Sequence, residues 1–237
     1  MPHYPLDLKK NSVVGSQPTG SVRDRMAKAA INAGERLVIL MDNSGSMAEH
    51  LGTTERKPKI EAAKEAIQAF LEQCDKRTSA VGLITFESTA YIKIEPVQYY
   101  QSVLFAAQNM QPGGGTCMNQ AMDLALGVDR VTRMIIVSDG VSSSPDRCIE
   151  IAHTCKTRNI PCDCVFIGNA SQMANDLDPQ ANDPFAYQYG DASGARLLKQ
   201  IADITGGFYF TVNDFASLRK VLVSLEAKNR LLLEHRG

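Results

Sequence analysis

The stretch Arg36-Leu-Val-Ile-Leu-Met-Asp42-Asn-Ser-Gly-Ser46 decides the fold class of this chain. Its first part is a continuous apolar run, which is typical of a strand buried on both faces of a sheet. A polar loop begins at Asp42, and residues 59–74 then place apolar or small side chains at helical spacing. A buried strand followed by an amphipathic helix is the repeating unit of a parallel α/β sheet.

The same alternation continues to the end of the chain. The pattern predicts further strands over residues 79–86, 90–96, 133–137, 162–167 and 208–212, and helices over 102–110, 117–128, 146–158, 195–205 and 215–233. The short connection before residue 90 indicates a hairpin. We therefore predict an α/β fold, with a doubly wound, mainly parallel six-stranded sheet, one antiparallel edge strand and helices on both faces, as in Rossmann-like proteins.

The chain divides into an arm and one domain. Residues 1–34 form an N-terminal arm whose loop-forming composition fits either a disordered segment or one packed on the domain. Residues 35–237 form a single domain, because no linker interrupts the regular pattern.

Charge and hydropathy exclude some functions. The net charge is -1, so no basic excess is available to neutralise the phosphates of a nucleic acid. The first residues lack the apolar segment of a signal peptide, and no stretch approaches the roughly 18 apolar residues of a membrane span. These features predict a cytoplasmic protein that contacts neither nucleic acid nor membrane.

Six cysteines raise the question of zinc or disulfides. Without a secretion signal, most are expected to be reduced thiols. Cys148, Cys155, Cys162 and Cys164 are clustered but lack the C-x-x-C spacing that structural zinc favours. Burial in the core is the favoured interpretation, and zinc is the alternative.

Three polar loops follow buried strands or precede helices. Asp42, Ser44 and Ser46 follow the first strand, Asp139 follows the strand at 133–137, and Thr116 ends a glycine-rich loop that opens a helix. Ligands bind beyond the carboxyl ends of strands in open parallel sheets. If the first and fourth strands are neighbours, these loops meet at one rim.

The donor set at this rim favours a hard divalent cation. Two carboxylates and three hydroxyls are the oxygen ligands that suit Mg²⁺ or Mn²⁺, and the two carboxylates match the charge of the ion. Such a set leaves a coordination position open to an acidic group from outside. We therefore expect a protein partner that presents Asp or Glu.

The segments 38–47, 114–116 and 136–140 resemble the metal-ion-dependent adhesion site (MIDAS) of von Willebrand factor A domains in order and separation. The resemblance spans about residues 35–225. It implies that Ser44 and Ser46 bind the metal directly, that Thr116 binds directly or through water, and that Asp42 and Asp139 act mainly through water. It also implies an intracellular interaction module within a multiprotein assembly, such as one with an AAA+ ATPase or one in a stress response.

Other functions were compared with this one. A metal-dependent hydrolase or phosphatase would use Asp42 or Ser44 as its nucleophile, but no second Asp stands two residues after Asp42. The chain also lacks G-x-S-x-G at this turn, a Walker lysine after Thr116 and a histidine placed as general base. A scaffold with a vestigial metal site is a third possibility. The complete ligand set favours a binding protein over an enzyme.

Nearby residues have two open interpretations each. Glu87 could tune the metal or be a solvated hairpin residue, and His50 could touch a ligand or be an exposed loop residue. The polar segment 169–194, with aromatic residues at Phe185, Tyr187 and Tyr189, could contact a partner or be disordered.

Overall fold

The computed structural model describes residues 34–51, 57–140, 142–168 and 191–234. The predictions for the N-terminal arm and for most of the segment 169–194 lie outside these residues. The part of that segment that is described, from Asp191, belongs to a helix, which begins four residues earlier than the periodicity predicted.

Strands and helices alternate as the sequence predicted. The strands are β1 (Glu35–Asp42), β2 (His50–Leu51), β3 (Lys57–Pro58), β4 (Ser79–Phe86), β5 (Ala90–Val97), β6 (Arg133–Ser138), β7 (Cys162–Ile167) and β8 (Tyr209–Val212). The α-helices are α1 (Lys59–Gln73), α2 (Tyr100–Gln108), α3 (Met118–Gly127), α4 (Pro145–Thr157), α5 (Asp191–Thr205) and α6 (Phe215–Glu234). Boundaries differ from the prediction by a few residues at most, because helix ends are set by contacts that periodicity does not record.

The main sheet has six strands in the order β5-β4-β1-β6-β7-β8. All neighbouring pairs are parallel except β4 and β5, which form the predicted antiparallel hairpin. This confirms the predicted fold class. The first and fourth strands of the prediction, β1 and β6, are neighbours.

Two apolar layers cover the sheet, one on each face. In β1, Leu37, Ile39 and Met41 pack with α1, α2 and α6, whereas Val38 and Leu40 pack with α3, α4 and α5. Successive side chains of a strand point to opposite faces, so a strand covered on both faces must be apolar throughout. The uninterrupted apolar run in β1 is thus a consequence of the two helical layers.

The loop after β1 contains structure that the sequence pattern did not reveal. Residues Gly45–Ala48 form a single 3-10 turn, and β2 pairs with β3 in a separate two-stranded ribbon. Both elements are too short for periodicity to detect. The ribbon leads directly into α1, so it fixes where that helix begins.

Candidate metal-binding site

The candidate site lies where the chain reverses its direction of travel across the sheet. From β1 the chain proceeds outward to β4 and β5 on one side, and from β6 to β7 and β8 on the other. Asp42 is the last residue of β1 and Ser138 the last of β6. The carboxyl ends of these two neighbouring strands are the usual ligand position in a doubly wound sheet.

Four of the five predicted ligands are linked by hydrogen bonds at the carboxyl ends of these strands. The Ser44 and Ser46 hydroxyl oxygens lie 3.0 Å apart, and Ser46 Oγ donates to Asp139 Oδ1 at 2.8 Å. The Ser44 backbone N–H donates to Asp42 Oδ1 at 2.8 Å. The loop after β1 and Asp139, which lies 93 positions beyond Ser46, therefore form one continuous polar cluster.

The spacing of these oxygens fits a small octahedral cation. Ligands about 2.1 Å from such an ion, at right angles to one another, lie about 3 Å apart. The Ser44–Ser46 separation of 3.0 Å matches that value, and the 2.8 Å hydrogen bond from Ser46 brings the Asp139 carboxylate beside the same pair. Hydroxyl and carboxylate oxygens are also the donor types that Mg²⁺ and Mn²⁺ prefer. The residues present therefore fit the predicted ion.

Asp42 is fully buried behind the cluster. Ser138 Oγ donates to its Oδ2, while Ser44 N–H occupies its Oδ1. Burial raises the pKa of Asp42 from 3.8 to about 6; the Ser138 hydrogen bond opposes this and the charge of Asp139 adds to it. With both oxygens engaged and out of contact with solvent, Asp42 is placed to orient the serines and not to attack a substrate.

Ser138 is a site residue to which the sequence analysis gave no role. Its hydroxyl contacts Asp42, and it accepts a hydrogen bond from the Gly140 N–H at 3.3 Å. A serine after a buried strand resembles any strand-ending residue. Only the pairing of β1 with β6 brings it against Asp42.

Thr116 lies at the edge of the cluster. Its Oγ1 is 3.8 Å from the position of a Cβ built on Gly140, and its carbonyl accepts the Ser143 N–H at 2.9 Å. The threonine therefore stands beside the loop that carries Asp139. Among the described residues, the hydrogen bonds that link the other four predicted ligands do not include it.

The glycine-rich loop before Thr116 is fastened on two sides. The Gly114 carbonyl accepts the Gly45 N–H at 3.2 Å, and the Gly115 N–H donates to Ser88 Oγ at 3.0 Å. Gly114 has a φ of +70°, and a Cβ there would lie 2.6 Å from Ser88 Oγ. The positive φ favours glycine at this position, and a larger residue would also displace the Ser88 hydroxyl.

Lys59 is a second site residue that the sequence analysis missed. Its Nζ lies 2.7 Å from Asp139 Oδ2 and 2.9 Å from Glu49 Oε2. Burial lowers its pKa, but the Asp139 hydrogen bond and charge, followed by those of Glu49, leave the pKa raised. A lysine as the first residue of a helix opposes the helix dipole, and this unusual placement could have indicated a nearby carboxylate.

The structure places Glu87 and His50, the two residues near the rim for which the sequence left two interpretations. Glu87 Oε2 lies 3.4 Å from the position of a Cβ on Gly114, so this carboxylate packs over the glycine-rich loop. His50 is exposed and pairs with Pro58 in the β2–β3 ribbon. Neither side chain belongs to the hydrogen-bonded cluster of the four predicted ligands.

The cysteines lie where the core interpretation predicts. Cys148, Cys155, Cys162 and Cys164 are buried in the apolar layer formed by α3, α4 and α5. All six cysteines are free thiols. In the described part of the chain, no group of three or more His, Cys, Asp or Glu side chains could hold a metal. The predicted cluster differs from such groups, because hydroxyls supply most of its donors.

A sequence comparison supports the predicted family resemblance. The model of the von Willebrand factor type A domain family matches residues 37–141, a range that includes all five predicted ligands. A UPF0353 protein of Mycolicibacterium vanbaalenii is 25% identical over 240 residues, which cover 93% of this chain. The chain spans 60% to 66% of the length of the first curated relatives it matches.

Solved structures share the fold. BatB from Bacteroides thetaiotaomicron has a TM-score of 0.60 at 20% identity, covering 82% of this chain and 98% of that one. An aerotolerance-related membrane protein from Bacteroides fragilis has a TM-score of 0.62 at 20% identity, covering 82% and 100%. At this level of identity the likeness concerns the fold.

The predicted cytoplasmic location is wrong. The structural likeness to BatB and to the aerotolerance-related protein contradicts this location, because the second of these is described as a membrane protein. The prediction used the composition of the chain, but a globular domain needs the same apolar core and polar surface on either side of a membrane. Among the described residues, no helix is both long and apolar enough to cross a bilayer.

Proposed function

We propose that this chain is a protein-interaction module that binds Mg²⁺ or Mn²⁺ through Asp42, Ser44, Ser46, Thr116 and Asp139 and uses the ion to hold an acidic side chain of a partner. The observation that carries the proposal is the convergence of the Ser44, Ser46 and Asp139 oxygens in one cluster, in which the two hydroxyls lie 3.0 Å apart and Asp139 is 2.8 Å from Ser46. A bound divalent cation supplies a Lewis-acidic position that accepts a carboxylate oxygen from outside. The match to von Willebrand factor type A domains supports this class of function.

The residues of the chain divide the work between them. Ser44 is 2% exposed and Ser46 is half-buried, so the hydroxyl pair reaches from the buried carboxylate towards the rim. Asp42 supports this pair from the interior, because it accepts hydrogen bonds from the Ser44 N–H and from the Ser138 hydroxyl. Asp139 supplies a second carboxylate charge beside that of Asp42. The two carboxylates of the site already neutralise the charge of a divalent ion. A third carboxylate, from a partner, therefore adds an excess negative charge, which its contact with the ion must offset. This favours a reversible interaction.

The setting that we propose is an assembly at a membrane. The support is the printed description of one solved relative as an aerotolerance-related membrane protein. That description also supports a stress response as the context of the assembly. The partner itself is defined here by its chemistry, an Asp or Glu side chain that reaches the rim of the sheet.

The test is capture of partners from membrane extracts of the native cell. Wild type would be presented with Mg²⁺ and with EDTA, beside Ser46→Ala and a matched control, Ser102→Ala. Ser102 lies in α2, and its hydroxyl donates to the carbonyl of Tyr99, the residue before that helix. We expect a protein held by wild type and the control in Mg²⁺, and released by EDTA or by Ser46→Ala. Equal capture under all conditions would place binding away from the metal and refute the proposal.

The alternative of catalysis is tested with a further variant, Ser44→Ala. The burial of Asp42 and the engagement of both its oxygens oppose a role as nucleophile. We expect no hydrolysis of phosphate or carboxylate esters above the level of Ser44→Ala. Turnover by wild type that Ser44→Ala abolishes would establish an enzyme instead.

A further inference from the structure

The Lys59 ammonium is held against the candidate metal site by two carboxylates of different exposure. The exposed fraction is 12% for the Lys59 side chain, 0% for Asp139 and 69% for Glu49. Lys59 is thus shielded from solvent and bonded to one of the predicted metal ligands. The two oxygens of Asp139 face different groups, Ser46 on one side and Lys59 on the other.

The backbone keeps Lys59 beside Glu49 independently of the ion pair. The Lys59 N–H donates to the Glu49 carbonyl at 2.8 Å, and the Glu49 N–H donates to the Ser46 carbonyl at 3.0 Å. These bonds tie the start of α1 to the 3-10 turn that carries Ser46. The Glu49 carboxylate, 2.9 Å from Lys59 Nζ, is thus a second acceptor for the ammonium beside Asp139.

We propose that Lys59 is a built-in counter-cation that competes with the divalent metal for Asp139 and moves fully to Glu49 when the metal binds. This inference rests on the proposed function, because it requires that the cluster binds a metal. Two cations drawn to one buried carboxylate repel each other strongly, since little water screens them. Lys59 therefore lowers the affinity of the site for its ion. It also sets how much binding free energy a partner carboxylate must contribute before the ion is held firmly.

Glu49 gives the proposal a second side. As the exposed acceptor, it stabilises the position of Lys59 away from Asp139. Among the described residues, removal of the Glu49 charge would leave Asp139 as the one carboxylate bonded to Lys59. Loss of Glu49 should therefore weaken metal binding, whereas loss of Lys59 should strengthen it. The effect of Glu49 should also disappear once Lys59 is gone.

The experiment is a calorimetric titration of Mn²⁺ into the full chain. Lys59→Met is compared with wild type and with Lys57→Met, a matched control in which the lost ammonium pairs with Glu65 at 2.6 Å instead. We expect Lys59→Met to tighten Mn²⁺ binding by about tenfold, the effect typical of one nearby like charge. We expect Lys57→Met to stay within about twofold of wild type, because exposed pairs contribute little.

A double-mutant cycle separates competition from general electrostatics. Glu49→Gln should weaken Mn²⁺ binding about threefold or more in wild type and leave it nearly unchanged in Lys59→Met. A general loss of negative charge would weaken both equally, which would overturn the proposed exchange. Lys59→Gln provides a second neutral variant if Lys59→Met does not fold, as judged by circular dichroism.

The outcomes distinguish this inference from the proposed function. Wild type that binds Mn²⁺ no more weakly than both neutral Lys59 variants would refute the competition and leave the metal site intact. Binding by the Lys59 variants alone would support competition and show that the ammonium masks the site. No binding by any variant would overturn the metal site and the competition together.

Discussion

Substitution of Asp42 by Asn should stabilise the metal-free protein while abolishing its response to metal. Asp42 is fully buried, and burial raises its pKa from 3.8 to about 6, with a further contribution from the charge of Asp139. A raised carboxyl pKa means that the folded state holds the proton more tightly than the unfolded state. The charged form therefore opposes folding at neutral pH.

The magnitude follows from the pKa. Each unit corresponds to about 1.4 kcal/mol, so ionised Asp42 costs the metal-free fold about 3 kcal/mol above pH 7. The asparagine amide keeps its bonds, because its oxygen can accept the Ser44 N–H and its NH₂ can donate to Ser138 Oγ. The Ser138 hydroxyl then turns to the Gly140 carbonyl, 3.3 Å away. We expect Asp42→Asn to gain about 1–3 kcal/mol.

The sign of the pH dependence is also fixed. The free energy of unfolding of wild type should fall as the pH rises from about 4 to about 6. Above that range the destabilisation by ionised Asp42 should be constant. The advantage of Asp42→Asn should therefore shrink by about half between pH 7.5 and pH 5. With Mg²⁺ at about 100 times its dissociation constant, wild type should gain about 2.7 kcal/mol and the variant nothing.

Urea denaturation followed by circular dichroism measures these quantities, which is convenient because the chain has no tryptophan. Titrations in EDTA at pH 7.5 and pH 5 would be compared with titrations in Mg²⁺. Asp129→Asn is the matched control, because the Asp129 side chain is 75% exposed. An Asp42→Asn protein that is less stable than wild type in EDTA at pH 7.5 would refute the reasoning.

Two further predictions concern the scaffold. Asp163 is 1% exposed and accepts the Arg133 Nε–H at 2.6 Å. Arg133→Met removes this ion-pair partner and leaves a buried charge, so it should lower the free energy of unfolding in urea titrations by about 3–5 kcal/mol. A loss below about 1 kcal/mol would contradict this. Gly207→Ala should cost about 3 kcal/mol or more, because its Cβ would lie 2.1 Å from the Cys162 carbonyl oxygen. Gly127→Ala, where a Cβ meets nothing within 4 Å, should leave the melting temperature unchanged or higher, and equal losses in both glycine variants would contradict the steric argument.

Local pattern was sufficient for the elements and for most of the candidate site. The apolar run of β1 and the helical spacing of α1 record which side chains are buried, and burial follows from the period of each element. The loops with Asp42, Ser44 and Ser46, and with Asp139, follow such strands. Their placement at one rim depended on a single condition, that β1 and β6 are neighbours, and the sheet order meets it.

Tertiary structure alone decided which groups surround those residues. Ser138 contacts Asp42 because two strands 96 residues apart pair in parallel, and Lys59 reaches Asp139 across 80 residues because a short ribbon fixes the start of α1. Periodicity reports the face on which a side chain lies, but not the partner across a crevice. The amino-acid sequence by itself therefore determined the fold class and indicated the polar loops of the candidate site, whereas the charges around those loops came from long-range packing.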